Sequence, residues 1–186
     1  SQHASAGYLI PSADGSLVLT SSGVYSQELV KLNKNRFDGL RCLPALHPAY
    51  ILGVKGVGPY YGQTPKTHPT LSIFTANDRQ LLTTIPDLEE LTGTFGRSVP
   101  LDQRVFFLPT ANLLITLPTT NDEIVLRKLS IVDILQKSSI DYLFVESVPA
   151  RAIAASETFT YDIATRSARG KVRISLDSGP EGMELK

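Results

Sequence analysis

VFFLPTANLLITLPTTNDEIVLRKLSI, from Val105 to Ile131, is the stretch that decides the fold. Its first four residues are apolar without alternation, as expected of a strand covered on both faces. Pro109 then stops ladder pairing without breaking the strand interior. A small turn leads into a second apolar run, Leu113 to Leu117, and Asn121 with Asp122 suits the polar turn before a third, Ile124 to Leu129. Strand, turn, strand, turn, strand is the outline of an antiparallel meander.

Two earlier stretches follow the same outline. YLIPSADGSLVLTSSGVYSQEL runs from Tyr8 to Leu29. LRCLPALHPAYILGV runs from Leu40 to Val54 and resumes as LSIFTANDRQLLTTI from Leu71 to Ile85. Each opens with a short apolar run ending in proline: Pro11, Pro44 and Pro109. Leu81 to Ile85 and Tyr142 to Val145 are the expected fourth strands of the second and third stretches. Pro86 to Leu91 suits a helical turn with Glu89 and Glu90 exposed, and Ile131 to Lys137 suits another. Both are shorter than an amphipathic helix that packs. The expected class is all-β, with antiparallel four-stranded units.

On these residues, Tyr8 to Glu146 resembles bacterial β-propeller blades of the WD40-like and YVTN-like kinds. The turn SADGS at Ser12 to Ser16, the strand LVLT after it and VYSQEL beyond carry the likeness. The Trp-Asp pair of true WD40 repeats is absent, because the chain has no tryptophan. The resemblance implies three blades of an incomplete ring over residues 1–147; an ordinary β-sandwich or meander is the alternative. Residues 148–186, VPARAIAASETFTYDIATRSARGKVRISLDSGPEGMELK, resemble the opening of a cadherin-like, immunoglobulin-like domain of bacterial surface proteins. Pro149, Phe159 with Tyr161, and SGPEGM at Ser178 to Met183 carry this likeness. It implies part of an Ig-like β-sandwich, with Gly179 and Gly182 in tight turns and Met183 plugging the core.

The bulk of the sequence argues against several functions. Lysine and arginine number 18 against 18 aspartate and glutamate, so no overall field favours nucleic acid. No run approaches the ~20 apolar residues of a membrane span, so no membrane insertion is expected of this segment. Ser1 to Tyr8 lacks the basic start and apolar core of an export signal. Cys42 is the only cysteine and reads as a small buried hydrophobe; a reactive thiol would need a base, and His47 is the nearest in sequence. His3, His47 and His68 lie at no ligand spacing. Asn77-Asp78 and Asn121-Asp122-Glu123 lack the alternating oxygens of a calcium loop and read as turn residues. Gly53 to Gly58 lacks the spacing of a phosphate loop and reads as a mobile loop. No nucleophile elbow and no paired carboxylates occur, so no catalytic, metal or cofactor-binding residue is expected.

One loop carries a binding expectation. Gly58 to Pro65 is aromatic and bounded by proline, and Tyr60, Tyr61 and Gln63 form its candidate contact surface; the two tyrosines folding back on the blade edge is the alternative. The expected function is a non-catalytic binding or structural module, a fragment of a larger multidomain protein that is envelope-associated or exported. Its place would be extracellular, periplasmic or at the cell surface, its partner a protein or a carbohydrate. The alternative is the sensory or scaffolding region of a bacterial signalling protein with a Ser/Thr kinase domain elsewhere. Three blades leave two apolar faces open, which predicts either a homo-oligomer through those faces or capping of one face by Val148 to Lys186.

Overall fold

The computed structural model describes residues 7–32, 36–57, 68–92, 99–150, 152–155 and 157–186. These are mostly β: thirteen short strands in four antiparallel sheets, with one α-helix. The chain divides into two compact units, Ser1–Ser139 and Ile140–Lys186.

The first unit holds three sheets, each a meander whose strands lie side by side in chain order. The first sheet is β1 (Leu9–Pro11), β2 (Leu17–Thr20), β3 (Gly23–Ser26) and β4 (Lys31–Leu32). The second is β5 (Arg41–Pro44), β6 (Tyr50–Lys55), β7 (Thr70–Thr75) and β8 (Leu81–Ile85). The third has three strands, β9 (Val105–Leu108), β10 (Leu113–Thr116) and β11 (Val125–Lys128).

Two of the hairpin turns close by the same device. At β1–β2 the Ser12 N–H donates to the Leu17 carbonyl at 2.9 Å, and the Leu17 N–H donates to Ser12 Oγ at 3.0 Å. At β7–β8 the Thr75 N–H donates to the Gln80 carbonyl, and the Gln80 N–H donates to Thr75 Oγ1, both at 2.9 Å. An aspartate inside each turn, Asp14 or Asp78, accepts from the same hydroxyl, so both loops satisfy their backbone locally.

The second sheet is covered on both faces. One face presents Cys42, Ile51 and Phe74 to Leu17, Leu19 and Val24 of the first sheet, with Phe37 set edge-on to Phe74 at 5.1 Å between ring centres. The opposite face presents Tyr50, Leu52 and Ile73; Tyr50 meets Phe107 of the third sheet at 6.1 Å, and the Leu46 N–H donates to the Phe107 carbonyl. Gly53 sits inside β6, not in a loop. A Cβ there would lie 2.9 Å from Leu40 and 3.0 Å from Phe74, so the bare backbone is what lets those side chains cross the strand.

Several expectations need correction. Leu9 and Pro11 of β1 are exposed, so only the first strands of the later sheets are apolar and covered. Ile131–Lys137 is an α-helix, α1, capped by Ser130 Oγ accepting from the Asp133 N–H; Ile131 and Leu135 are buried and the helix packs near β8. The chain thus leaves β11 into a helix, and residues 142–145 do not complete the third sheet.

The second unit pairs β12 (Leu143–Val145) with β13 (Thr165–Ser167). Arg166 with Glu146, and Arg169 with Asp141, clamp this hairpin by ion pairs. The Tyr161 hydroxyl donates to the Ser147 carbonyl at 2.8 Å. Val172 to Leu185 adds no strand among the described residues. Met183 plugs no core: it is 54% exposed and folds over Gly179, because the Pro180–Met183 turn, with Gly182 at φ +85°, reverses the chain locally.

Phe107 is fully buried and Phe106 half-buried, which gives a direct check on the stacked sheets. Phe107→Ala is expected to cost about 3–5 kcal/mol in urea unfolding, and Phe106→Ala markedly less.

Candidate functional site

The densest polar arrangement among the described residues lies where the chain passes from the second sheet to the third. After β8 a short 3₁₀ turn, Glu89–Leu91, is held by the Leu88 N–H donating to the Pro69 carbonyl at 2.9 Å. Leu88 and Leu91 are buried, and Glu90 between them reaches the third sheet. Glu89 is exposed, but the Glu90 side chain is only 9% exposed, contrary to expectation.

Thr116 and Arg127 project from neighbouring strands of the third sheet and converge on Glu90. The Thr116 hydroxyl donates to Glu90 Oε1 at 2.6 Å. Arg127 Nη2 donates to Glu90 Oε2 at 3.0 Å, while Nη1 donates to Oε1 and to Thr116 Oγ1. The fork of the guanidinium thus matches both carboxylate oxygens. Arg104, itself buried, donates from Nε to the Leu117 carbonyl at 2.8 Å and from Nη2 to the Glu90 carbonyl at 2.9 Å. Burial alone would raise the Glu90 pKa; the hydrogen bonds of Arg127 and Thr116, with the charge of Arg127, outweigh it and hold the carboxyl below its ordinary range. Burial lowers the Arg104 pKa, and the charge of Glu90 partly offsets this.

Sequence reasoning misses these residues. The available signals are a threonine in the apolar run LLIT and an arginine beside each of VFFL and VL, since a polar group on a covered face demands a partner. It misses Tyr8 as well. The Tyr8 hydroxyl is buried without a hydrogen-bond partner among the described residues, and burial, then Cys42, raises its pKa.

The other candidates stand apart from one another. The Cys42 thiol lies in the core between the first two sheets, and burial pushes it up to about 12, with Lys31 partly opposing. An unreactive thiol is the consequence. His47 is buried in the β5–β6 turn, where Nδ1 accepts from the Ala49 N–H at 3.1 Å beside the Tyr50 ring. His68 lies 3.6 Å from Glu89. Asp78 accepts from Thr75 and Gln80, and Asp122 from Thr120, which makes them turn residues. Burial would raise Asp14, but donors from Ser12 and Ser16 hold it below the ordinary range. Among the described residues no group of three or more His, Cys, Asp or Glu side chains is placed to hold a metal ion. No helix there is long and apolar enough to cross a membrane. Tyr60, Tyr61, Gln63 and His3 lie outside the described residues.

Comparisons with protein families, with curated proteins and with solved structures give no match to this chain.

Chemically, the Glu90 cluster joins two segments rather than presenting a group to a substrate. Glu90→Gln is expected to cost about 2–3 kcal/mol near neutrality, by loss of the charge-assisted pair. The folded pKa of Glu90 lies below the ordinary 4.5, so its contribution is complete above that value and fades as pH falls through the folded pKa. The stability gap between wild type and variant should therefore narrow below about pH 4.5, as urea titrations across pH will report. Tyr8→Phe removes a buried hydroxyl with no partner among the described residues and should stabilise the protein by about 1 kcal/mol, read as a raised unfolding midpoint.

Proposed function

We propose that this chain is a non-catalytic binding or structural module whose first unit is built of propeller-like blades. The observation that supports it best is the use of its polar side chains. Glu90, Arg104, Thr116 and Arg127 hold one another and the backbone; Asp14 and Asp78 hold their own turns. The thiol of Cys42 is buried among apolar side chains. A general acid or base must be within hydrogen-bond reach of a reacting group, and these groups face their own chain.

Three meanders stacked face to face, each starting at a sheet edge, support the blade-like part of the proposal. The tyrosine-rich loop with Tyr60, Tyr61 and Gln63 is the proposed contact surface for a protein or carbohydrate partner. Assays with esterase, phosphatase, glycosidase and peptidase substrates are expected to show no turnover above buffer. Robust turnover abolished by one point substitution would overturn the proposal.

A further inference from the structure

The third sheet ends on β11. Among the described residues β11 pairs with β10 alone. The Leu129 N–H donates to the Asn112 carbonyl at 2.8 Å, so residues 129, 127 and 125 direct their backbone groups to β10. Antiparallel alternation turns the N–H and C=O of residues 126 and 128 outward, and Ile124 immediately precedes the strand. Ile124 and Leu126 are 64% and 61% exposed, on an edge that carries no proline. Such an edge invites another strand.

The residues along this edge say which strand fits. Asp122-Glu123-Ile124-Val125-Leu126-Arg127-Lys128 runs acid, acid, three apolar residues, base, base. Reversed and laid against itself, the segment is complementary in charge at both ends and apolar in the middle. We propose that β11 is the docking edge for a second copy of this chain, the two strands pairing antiparallel about a two-fold axis at Val125.

In that register Leu126 faces the second copy's Ile124, and Lys128 lies beside its Asp122, in the turn that precedes β11. Glu90 already holds the Arg127 guanidinium, so the Lys128–Asp122 pairs carry the charge match. With Ile124 drawn into the strand, Leu126 and Ile124 form the hydrogen-bonded pairs of the new ladder. The apolar row Phe106, Ile115 and Leu126 then continues into the second copy's Ile124 on the same face. Moving the register by two residues sets Lys128 against Ile124, or Leu126 against Asp122. A parallel arrangement sets like charge on like. The contact is isologous and closes at two copies, joining two three-stranded sheets into one of six strands.

Dimerisation through β11 does not depend on the proposed lack of catalysis, and the whole chain is used to test it. Sedimentation velocity over a range of concentrations is expected to show a reversible monomer–dimer equilibrium that weakens with added salt. Asp122→Lys sets lysine against lysine across the two-fold axis, and Lys128→Glu sets glutamate against aspartate. Each variant should dimerise at least about tenfold more weakly than wild type. Mixed together the two variants match again. The lysine introduced at position 122 of one faces the glutamate introduced at position 128 of the other, and the native Asp122 and Lys128 face each other on the opposite side. A heterodimer should form. Leu126→Pro removes only an outward N–H and should abolish the dimer while far-UV circular dichroism keeps its strand signal. A wild-type chain that stays monomeric throughout would overturn the proposal. So would charge variants that dimerise as well as wild type, or a mixture that fails to associate.

Discussion

The carboxylate of Glu90 accepts from both ends of the Arg127 guanidinium and from the Thr116 hydroxyl, and the third sheet depends on that contact. The sheet has three short strands, and it carries two polar side chains beside the buried Phe107 and Leu114. Burying Thr116 and half-burying Arg127 would be unfavourable without partners. The 3₁₀ turn after β8 supplies both partners from one residue, with the Glu90 carbonyl engaging Arg104 as well. A connection between sheets therefore acts as part of the core.

The second sheet makes the complementary apolar contribution. Sheets one and three each have a covered and a more open face, while β6 and β7 are buried on both. That asymmetry explains the composition. Tyr50-Ile51-Leu52-Gly53-Val54 is continuous and apolar because each of its faces meets a different sheet, and Gly53 is there because Leu40 and Phe74 cross it. Leu113 to Thr116 lies in a sheet with one face less covered, and its buried residues are Leu114 and Thr116.

Much of this was legible. Short runs rich in apolar and β-branched residues, bounded by Pro, Gly, Asp, Asn and Ser turns, place β2, β6, β7, β8, β9 and β10 within a residue or two of where they lie. Local chemistry governs those features. What was not legible is set by distant partners. Glu90 reads as exposed because nothing within several residues marks it; its partners are Thr116 and Arg127, far along the chain. Residues 142–145 have strand composition, but composition does not say which strand they join, and Arg166 and Arg169 draw them to β13. Met183 shows the same limit, for a turn followed by an apolar residue also describes one that folds back over its own glycine.

The central claim is that Glu90 couples the third sheet to the two before it. Residue-resolved native-state hydrogen exchange, comparing wild type with Glu90→Gln, tests it most directly. The account predicts that amides of β9, β10 and β11 lose more protection in the variant than those of β2, β6 and β7, because they also exchange through an opening of the third sheet alone. Equal loss of protection in all three sheets, or no loss in the third, would contradict it.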